Sequence, residues 1–257
     1  MREHEAIHAD IDERGVATVT IDRPEKRNAL DPRMIVALRH TVERVAEARQ
    51  VRVIVLTGAG AAFCAGMDVG VDAACSEEEL ITSVAELIAS VDQAGVPTIA
   101  RVAGPAMGGG LGLAAVCDVV VASTDARFGI PELRLGLAPA VVSLYAARRL
   151  GRSVVRSWAL TAEHVPAAEA HRVGLVDVLC APGELDDRIK ALVDAMLRTA
   201  PQAARTVKRF LAAQGGPSGD DIRSAVSMSS AVTAGTEAGL GMTAFRSKQA
   251  PPWVPRE

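Results

Sequence analysis

The residues with the clearest chemical potential form a glycine-rich run, GPAMGGGLG, at positions 104–112. A β-like segment, Thr98–Val102, precedes this run, and the apolar residues 113–117 follow it. This order predicts exposed backbone N–H groups, because the first N–H groups of a helix lack internal partners and lie at the positive end of its dipole. Glycine also lets another group approach the backbone closely. The run can therefore hold either a phosphate or an oxyanion that develops during a reaction.

A second glycine turn, GAGAAF at residues 58–63, begins like a dinucleotide-binding motif but ends in Phe63. Neither turn is followed at the expected distance by an acidic residue that ends a second strand, and the Gly-Lys-Ser/Thr of a nucleotide P-loop is absent. Both turns follow buried strands. Two adjacent parallel strands would bring the next loops to one edge of the sheet, where ligands of α/β proteins bind. Backbone N–H groups of residues 63–68 and 107–110 could then converge on one oxygen.

A single carboxylate completes this set of chemically capable groups. Glu132 follows Pro131 in a short, mostly apolar loop after a predicted strand at residues 118–122. Two interpretations are open from the local sequence. The side chain is either a solvated loop glutamate or a general acid/base whose pKa is raised by apolar neighbours.

Alternating strands and helices must position these groups. Asp31 and Pro32 predict the start of a helix that runs to about Gln50, and Ser76 with Glu79 predicts a capping box. Strands are predicted at residues 7–12, 16–21, 51–57, 98–102 and 118–122. This alternation favours an α/β fold with at least partly parallel pairing. From about Pro201 only helices are predicted, at residues 203–213, 220–229 and 236–245.

Composition limits the function classes. Of 257 residues, 49% are apolar and 3% aromatic, and the net charge is -3. This charge gives no electrostatic case for a nucleic-acid partner or an anionic membrane, and no stretch is apolar enough to span a bilayer. The N-terminal residues lack the apolar run of a signal peptide, so a cytoplasmic location is expected. No histidine pair or CxxC spacing indicates a metal site, and the cysteines Cys64, Cys75, Cys117 and Cys180 are expected to be apolar fillers.

The order and spacing of several motifs resemble the crotonase (enoyl-CoA hydratase/isomerase) superfamily over essentially the whole chain. The motifs are RPEKRNAL at residues 23–30, AFCAGMD at 62–68, VAG with the glycine run and CD at 102–118, FGIPE at 128–132 and AHRVGLV at 170–176. The resemblance implies the ClpP/crotonase fold of repeated ββα units. It also implies an α/β core at residues 1–198 that binds acyl-CoA and a helical oligomerisation region at 199–257. The expected assembly is a homotrimer or a dimer of trimers.

The same resemblance implies roles for individual residues. The thioester oxygen would lie in an oxyanion hole formed by the N–H groups of Met67 and Gly109, with Glu132 as acid/base. The residues expected to hold the CoA are Ala29, Ala65, Gly66, Asp68 and Gly110, although Asp68 could instead be a structural cap. Lys208 or Phe210 of a neighbouring subunit could also contact CoA. No cofactor is expected, because CoA is part of the substrate.

The sequence departs from the superfamily at one important position. The best-known hydratases carry a second glutamate two residues after the glycine triplet, and this chain has Gly112 there. Three functions stay open: an enoyl-CoA hydratase in which Glu132 acts alone, which we place first, a double-bond isomerase, and an acyl-CoA-binding protein without efficient catalysis.

Two related chemistries fit the sequence poorly. A dehalogenase would need a nucleophilic aspartate near Ala140, where no carboxylate exists. A serine peptidase would need an ordered Ser-His-Asp set, which Ser123, Ser143 and His164 do not suggest.

Overall fold

A six-stranded sheet forms the centre of the protein in the computed structural model, which describes residues 4–70, 76–213 and 218–253. The nine strands in chain order are β1 Ile7–Ile11, β2 Val16–Ile21, β3 Val53–Gly58, β4 Thr98–Val102, β5 Ala106–Met107, β6 Val119–Ser123, β7 Arg127–Gly129, β8 Val165–Pro166 and β9 Val178–Cys180. The large sheet has the order β1-β2-β3-β4-β6-β9. Its first pair is an antiparallel hairpin and every other pair is parallel, which confirms the predicted α/β pattern.

The parallel pairing of β3 with β4 decides where the glycine turns lie. Thr57 is in register with Arg101, so both strands end at the same edge of the sheet. The loops after β3 and β4 are therefore neighbours, as predicted. Phe63 and Cys64 both direct their backbone N–H groups to the carbonyl of Pro105, at 3.0 and 3.1 Å.

A second, smaller sheet links these loops to the glutamate. It has the order β5-β7-β8, with Met107 in register with Gly129. Isolated bridges join Cys64 to Ala106 and Leu30 to Met67, so the loops after β2 and β3 continue the same hydrogen-bonded layer. Backbone pairing thus connects five chain segments: the loop after β2, the loop after β3, β5, β7 and β8.

Ten helices surround the sheets in the described residues. They are α1 Pro32–Glu47, α2 Glu77–Asp92, α3 Gly109–Val116, α4 Ala140–Leu150, α5 Arg152–Thr161, α6 Ala167–Arg172, α7 Leu185–Leu197, α8 Pro201–Ala213, α9 Gly219–Thr233 and α10 Thr236–Arg246. The carboxylate of Asp31 caps α1 and the Ser76–Glu79 capping box opens α2, as predicted. α1 ends three residues before the predicted Gln50. α3 begins inside the glycine run rather than after it, because Gly108 turns the chain and Gly109 is already helical.

Alternating residues of the central strands face two different layers. Ile54 and Leu56 of β3 pack in the main core with α1, α2 and α3. Val53 and Val55 face the other way, where α7 contributes Leu185, Ile189 and Val193. Both layers are built mainly from aliphatic residues, as the low aromatic content predicts.

The last three helices pack against the α/β core. α9 lies on α2 and α4. Lys208 on α8 donates from Nζ to the carbonyl of Val96 at 2.9 Å, to Oγ1 of Thr98 at 3.3 Å and to Oδ2 of Asp118 at 2.6 Å. Its side chain is only 9% exposed. The expected contact of Lys208 with a neighbour's CoA is therefore wrong for this protomer, since the ammonium is already bound inside its own chain.

None of the helices described is both long and apolar enough to cross a membrane. Within the same residues, no group of three or more His, Cys, Asp or Glu side chains could hold a metal ion. Cys75 lies outside the part of the chain that the structure describes, and the other three cysteines are buried and free.

Candidate active site

The carboxyl group of Glu132 is enclosed by the protein. The residue is the first of a short 3-10 helix, Glu132–Leu135, rather than part of an irregular loop as predicted. Although the residue as a whole is half-buried, its Oε2 atom is shielded from solvent and has no hydrogen-bond partner. Burial raises the pKa of this carboxyl to about 7. A carboxyl with that pKa can both accept and release a proton near neutral pH.

Gly108 lies against this carboxyl. Its N–H donates to the carbonyl of Gly129 at 2.9 Å, which continues the pairing of β5 with β7. Its φ is 52°, a left-handed conformation that favours glycine. A Cβ built on Gly108 would lie 2.6 Å from Oε1 of Glu132. The position therefore requires glycine for its backbone angle and for the approach of Glu132.

Two backbone amides face the space beside Glu132. Leu30 donates to the carbonyl of Gly66 at 2.8 Å and accepts from the N–H of Asp68 at 2.9 Å. Because successive N–H groups of an extended segment point in opposite directions, the N–H of Met67 points away from Leu30. Gly109 is the first residue of α3, so its N–H has no acceptor in the helix. Within the described residues, neither amide has a hydrogen-bond acceptor.

The two amide-bearing loops are in close contact. A Cβ built on Gly66 would lie 3.0 Å from the carbonyl oxygen of Met107 and 3.6 Å from the nitrogen of Gly109. Gly66 has a φ of 90°, so a side chain there would also be strained. The loops thus bring the N–H groups of Met67 and Gly109 to one cavity, where they can receive an oxygen that gains negative charge.

This cavity has a volume of about 130 Å³. Its polar end is formed by Glu132, Met67 and Gly109, and Ala65, Gly66 and Gly108 also line it. Most of its remaining wall is aliphatic, from Leu30, Ile35, Val69, Ile81, Val84, Leu87, Ile88, Leu113, Leu135, Leu137, Val141 and Val142. Among the described residues that line the cavity, Glu132 is the one titratable side chain. The site therefore combines one carboxyl group with two backbone N–H groups in mostly apolar surroundings.

Gly112 lies behind the aliphatic wall. A Cβ built on it would be 2.9 Å from Cδ1 of Ile88 and 3.7 Å from Cγ2 of Val142. Ile88 and Val142 line the cavity, whereas Gly112 does not. Hydrocarbon therefore fills the place into which a second carboxylate would project.

The residues predicted to hold CoA are placed differently from one another. The N–H of Ala65 donates to the carbonyl of Arg27 at 3.0 Å, which joins the loop of Ala29 to that of Gly66. Ala65 and Gly66 line the cavity, whereas Ala29, Asp68 and Gly110 do not.

Asp68 and Gly110 take part in packing within the chain. Oδ2 of Asp68 lies 2.9 Å from Nη1 of Arg23, and Oδ1 accepts from the N–H of Gly70 at 3.0 Å. A Cβ built on Gly110 would lie 2.2 Å from the carbonyl oxygen of Cys64. Gly110 is thus a site of close helix–loop approach. The contacts of Asp68 are those expected of a residue with a structural role. A contact of either residue with CoA stays a prediction.

Two contributions to the structure of the site were not predicted from the sequence. Asn28 is fully buried with a φ of 59°, and its amide donates to the carbonyls of Ala59 and Ala62 at 2.9 and 2.7 Å. It joins the loop after β2 to the loop after β3. Asparagine is enriched at positive φ, which was the available signal. Ser229 and Thr233 of α9 also line the cavity, and nothing in their local sequence indicates this.

Comparison with known proteins gives consistent matches. A profile of the family described as Enoyl-CoA hydratase/isomerase matches residues 12–256. The chain is 37% identical over 204 residues to a putative enoyl-CoA hydratase of Thermus thermophilus, which covers 77% of this chain and 81% of that protein. It is also 37% identical over 212 residues to the probable enoyl-CoA hydratase echA6 of Mycobacterium leprae, with 77% and 79% covered.

Solved structures agree with this result. An enoyl-CoA hydratase from Mycobacterium avium subsp. paratuberculosis matches with a TM-score of 0.87 at 27% identity, over 95% of this chain and 100% of the other. A carnitinyl-CoA hydratase from Mycobacterium avium matches with a TM-score of 0.84 at 29% identity, over 100% of both chains. The similarity extends over the α/β core and the C-terminal helices together.

Proposed function

The chain belongs to the enoyl-CoA hydratase/isomerase family of the crotonase superfamily, and from this premise we propose that it hydrates 2-enoyl-CoA thioesters with Glu132 as its single acid/base. Membership confirms the predicted superfamily and fold and makes the protein an enzyme of that superfamily. The observation that carries the finer proposal is the enclosed carboxyl of Glu132, whose Oε2 has no hydrogen-bond partner, beside two free amides in a mostly aliphatic cavity.

The oxyanion hole is the first part of the proposed mechanism. The thioester oxygen accepts hydrogen bonds from the N–H groups of Met67 and Gly109. When water adds to the double bond, negative charge moves from the attacking oxygen to this thioester oxygen as an enolate forms. Fixed backbone dipoles stabilise that charge without reorganising, and the loss of one such donor typically costs about 10²–10³ in rate.

Glu132 supplies the proton chemistry. Its carboxylate takes a proton from water while the water oxygen bonds to the β-carbon of the enoyl group. The carboxylic acid then returns a proton to the α-carbon of the enolate, which forms the 3-hydroxyacyl-CoA and regenerates the carboxylate. A pKa of about 7 suits both halves of this cycle, because the carboxylate and the acid are then close in free energy at neutral pH.

A double-bond isomerase is the second candidate function, and the wall at Gly112 favours it. Ile88 and Val142 give no polar group that could hold a water molecule from that side. In this reaction Glu132 removes a proton from the α-carbon of a 3-enoyl-CoA and returns it to the γ-carbon. The same oxyanion hole would stabilise the same kind of enolate.

Incubation of the enzyme with 2-enoyl-CoA and with 3-enoyl-CoA, each in isotopically labelled water, separates these reactions. Incorporation of labelled oxygen into a 3-hydroxyacyl product from the 2-enoyl substrate supports hydration. A migrated double bond without labelled oxygen would show isomerisation instead. Acyl-CoA binding without either product would indicate a binding protein and contradict the proposal.

The remaining contacts with CoA belong to the same proposal. Ala29, Ala65, Gly66, Asp68 and Gly110 are proposed to surround the CoA moiety, through their backbone or their loops. The hydrogen bond between Ala65 and Arg27 supports this, because it joins the loop of Ala29 to Ala65 and Gly66, which line the cavity. CoA as part of the substrate, with no separate cofactor, and a cytoplasmic location stay predictions.

The assembly is proposed to be a homotrimer, or a pair of trimers, formed through the helical region. Among the described residues of α8, α9 and α10, seven large apolar side chains are exposed in the single chain: Val207, Phe210, Leu211, Met228, Val232, Leu240 and Phe245. Apolar surface of this kind favours burial against another protein surface. Sedimentation of the purified protein, compared with a Phe210→Glu/Leu211→Glu variant, tests the assembly.

A further inference from the structure

Three helices meet at the aliphatic wall of the cavity. Ile88 of α2 and Val142 of α4 both line the cavity, and Gly112 of α3 lies behind them. Ile88 is fully buried and Val142 is 5% exposed. Cδ1 of Ile88 would lie 2.9 Å from a Cβ at position 112, so the absence of a side chain there gives this isoleucine its place in the wall.

The chemistry of the wall restricts what the cavity can hold. Away from Glu132, the described lining has no charged and no aromatic side chain. Ser229 and Thr233 are its side-chain hydroxyls, and that of Ser229 donates to the carbonyl of Ala138 at 2.9 Å. A buried carboxylate or ammonium on the acyl group would have no partner of opposite charge on this wall, and a quaternary ammonium would find no aromatic face.

We propose that Ile88 and Val142 are specificity-determining residues, which restrict the site to uncharged aliphatic acyl groups and limit their length. This inference rests on the proposed function, because it assumes that the cavity holds the acyl part of an acyl-CoA. It would distinguish this chain from the carnitinyl-CoA hydratase, one of its structural matches, because a carnitinyl group carries a quaternary ammonium.

The contact between position 112 and Ile88 allows the cavity to be changed in two opposite directions. Ile88→Ala removes the part of the side chain that faces the cavity and Gly112, so the cavity becomes larger. Gly112→Ala places a methyl group against Cδ1 of Ile88 and pushes this side chain toward the cavity, so the cavity becomes smaller. The double variant gives the new methyl group the space that Ile88 has left.

Saturated acyl-CoAs test the inference without requiring turnover. Calorimetry would compare butyryl-CoA, octanoyl-CoA and glutaryl-CoA, so that the common CoA part cancels in each ratio of affinities. In Ile88→Ala, the preference for octanoyl-CoA over butyryl-CoA should rise about tenfold or more, since one methylene in an apolar pocket can be worth that much. Gly112→Ala should lower it, and the double variant should return it toward the wild-type value. Glutaryl-CoA should bind the wild type more weakly than butyryl-CoA.

Two further variants control the experiment. Ile88→Val removes only the Cδ1 methyl and should shift the ratio in the direction of Ile88→Ala by a smaller factor, with little risk to folding. Ile11→Ala, the same truncation as Ile88→Ala on the distant strand β1, should leave the ratio unchanged.

The outcomes separate this inference from the function on which it rests. An unchanged chain-length ratio in Ile88→Ala and Ile88→Val, or equal affinity of the wild type for glutaryl-CoA and butyryl-CoA, would overturn the inference alone. If the wild type bound none of the three acyl-CoAs, the proposed function itself would be wrong.

Discussion

The two sides of the cavity are built by different means. On the polar side, Gly66, Gly108 and Gly129 are held by hydrogen bonds between backbones, and two of these glycines have positive φ. On the aliphatic side, Ile88 and Val142 contribute side chains from separate helices. Every substitution except that by proline keeps the backbone N–H donor, whereas a side chain can be exchanged. We therefore expect the polar side to determine the type of reaction and the side chains of the aliphatic side to determine which acyl groups are accepted.

The largest expected effect is on the polar side, at Glu132, the proposed acid/base. Glu132→Gln keeps the shape of the side chain but cannot accept a proton, so turnover should fall by about 10³–10⁴ while acyl-CoA binding is retained. Steady-state kinetics and calorimetry measure the two quantities. Normal turnover in this variant would show that Glu132 is not the acid/base and that the polar side lacks its assigned chemistry.

A smaller loss is expected at the glycine that meets Glu132. Gly108→Ala would place a methyl group 2.6 Å from Oε1 of Glu132 and strain a φ of 52°. Displacement of the carboxyl and the Gly109 amide should lower kcat by about 10²-fold. Gly183→Ala is the matched control, because a Cβ at Gly183 meets nothing within 4 Å. Equal activity of the two variants would remove the steric requirement claimed for Gly108.

The polar side should also reduce stability at high pH. The pKa of Glu132 is about 7 in the folded chain against 4.5 for the free group, so between these values the native state binds more protons than the unfolded state. The free energy of unfolding should therefore fall as pH rises from 4.5 through 7, by about 3 kcal/mol in total. Glu132→Gln lacks this titration. Urea denaturation at fixed protein concentration should therefore show that the free energy of unfolding of the variant rises relative to that of the wild type between pH 4.5 and 7. If the free energies of unfolding of the two proteins changed in parallel with pH, the raised pKa of Glu132 would be contradicted.

The smallest effect is expected on the aliphatic side. Val142→Ala removes two methyl groups from the wall and no polar contact, so kcat for an accepted substrate should stay within about threefold of the wild type. Its KM for different chain lengths should change instead. Kinetics with 2-enoyl-CoAs of increasing length separate the two parameters. A fall in kcat as large as that of Gly108→Ala would abolish the distinction between the two sides.

This distinction also explains how far the sequence could predict the site. Each part of the polar side could be predicted from a short local motif, because a glycine at positive φ or a capped helix requires particular residue types at that position. Gly112 signalled that a carboxylate is absent but not what replaces it. Ile88 and Val142 are aliphatic residues at helical spacing, and such residues look alike wherever they pack. Lys208 was assigned wrongly because its partner, Asp118, lies 90 residues away and nothing local links the pair.

The thiol of Cys64 can report when the closely packed loops separate. The residue is fully buried, its carbonyl accepts from the N–H of Met107 at 2.9 Å, and burial raises the pKa of its thiol to about 12. A thiol in that state does not react with an alkylating reagent, because the thiolate is the nucleophile. Modification of Cys64 must therefore wait until the loop of Met67 and the glycine run separate. The rate at which Cys64 is labelled therefore measures how often the two loops separate. A bound acyl-CoA that holds the two loops together would lower this rate.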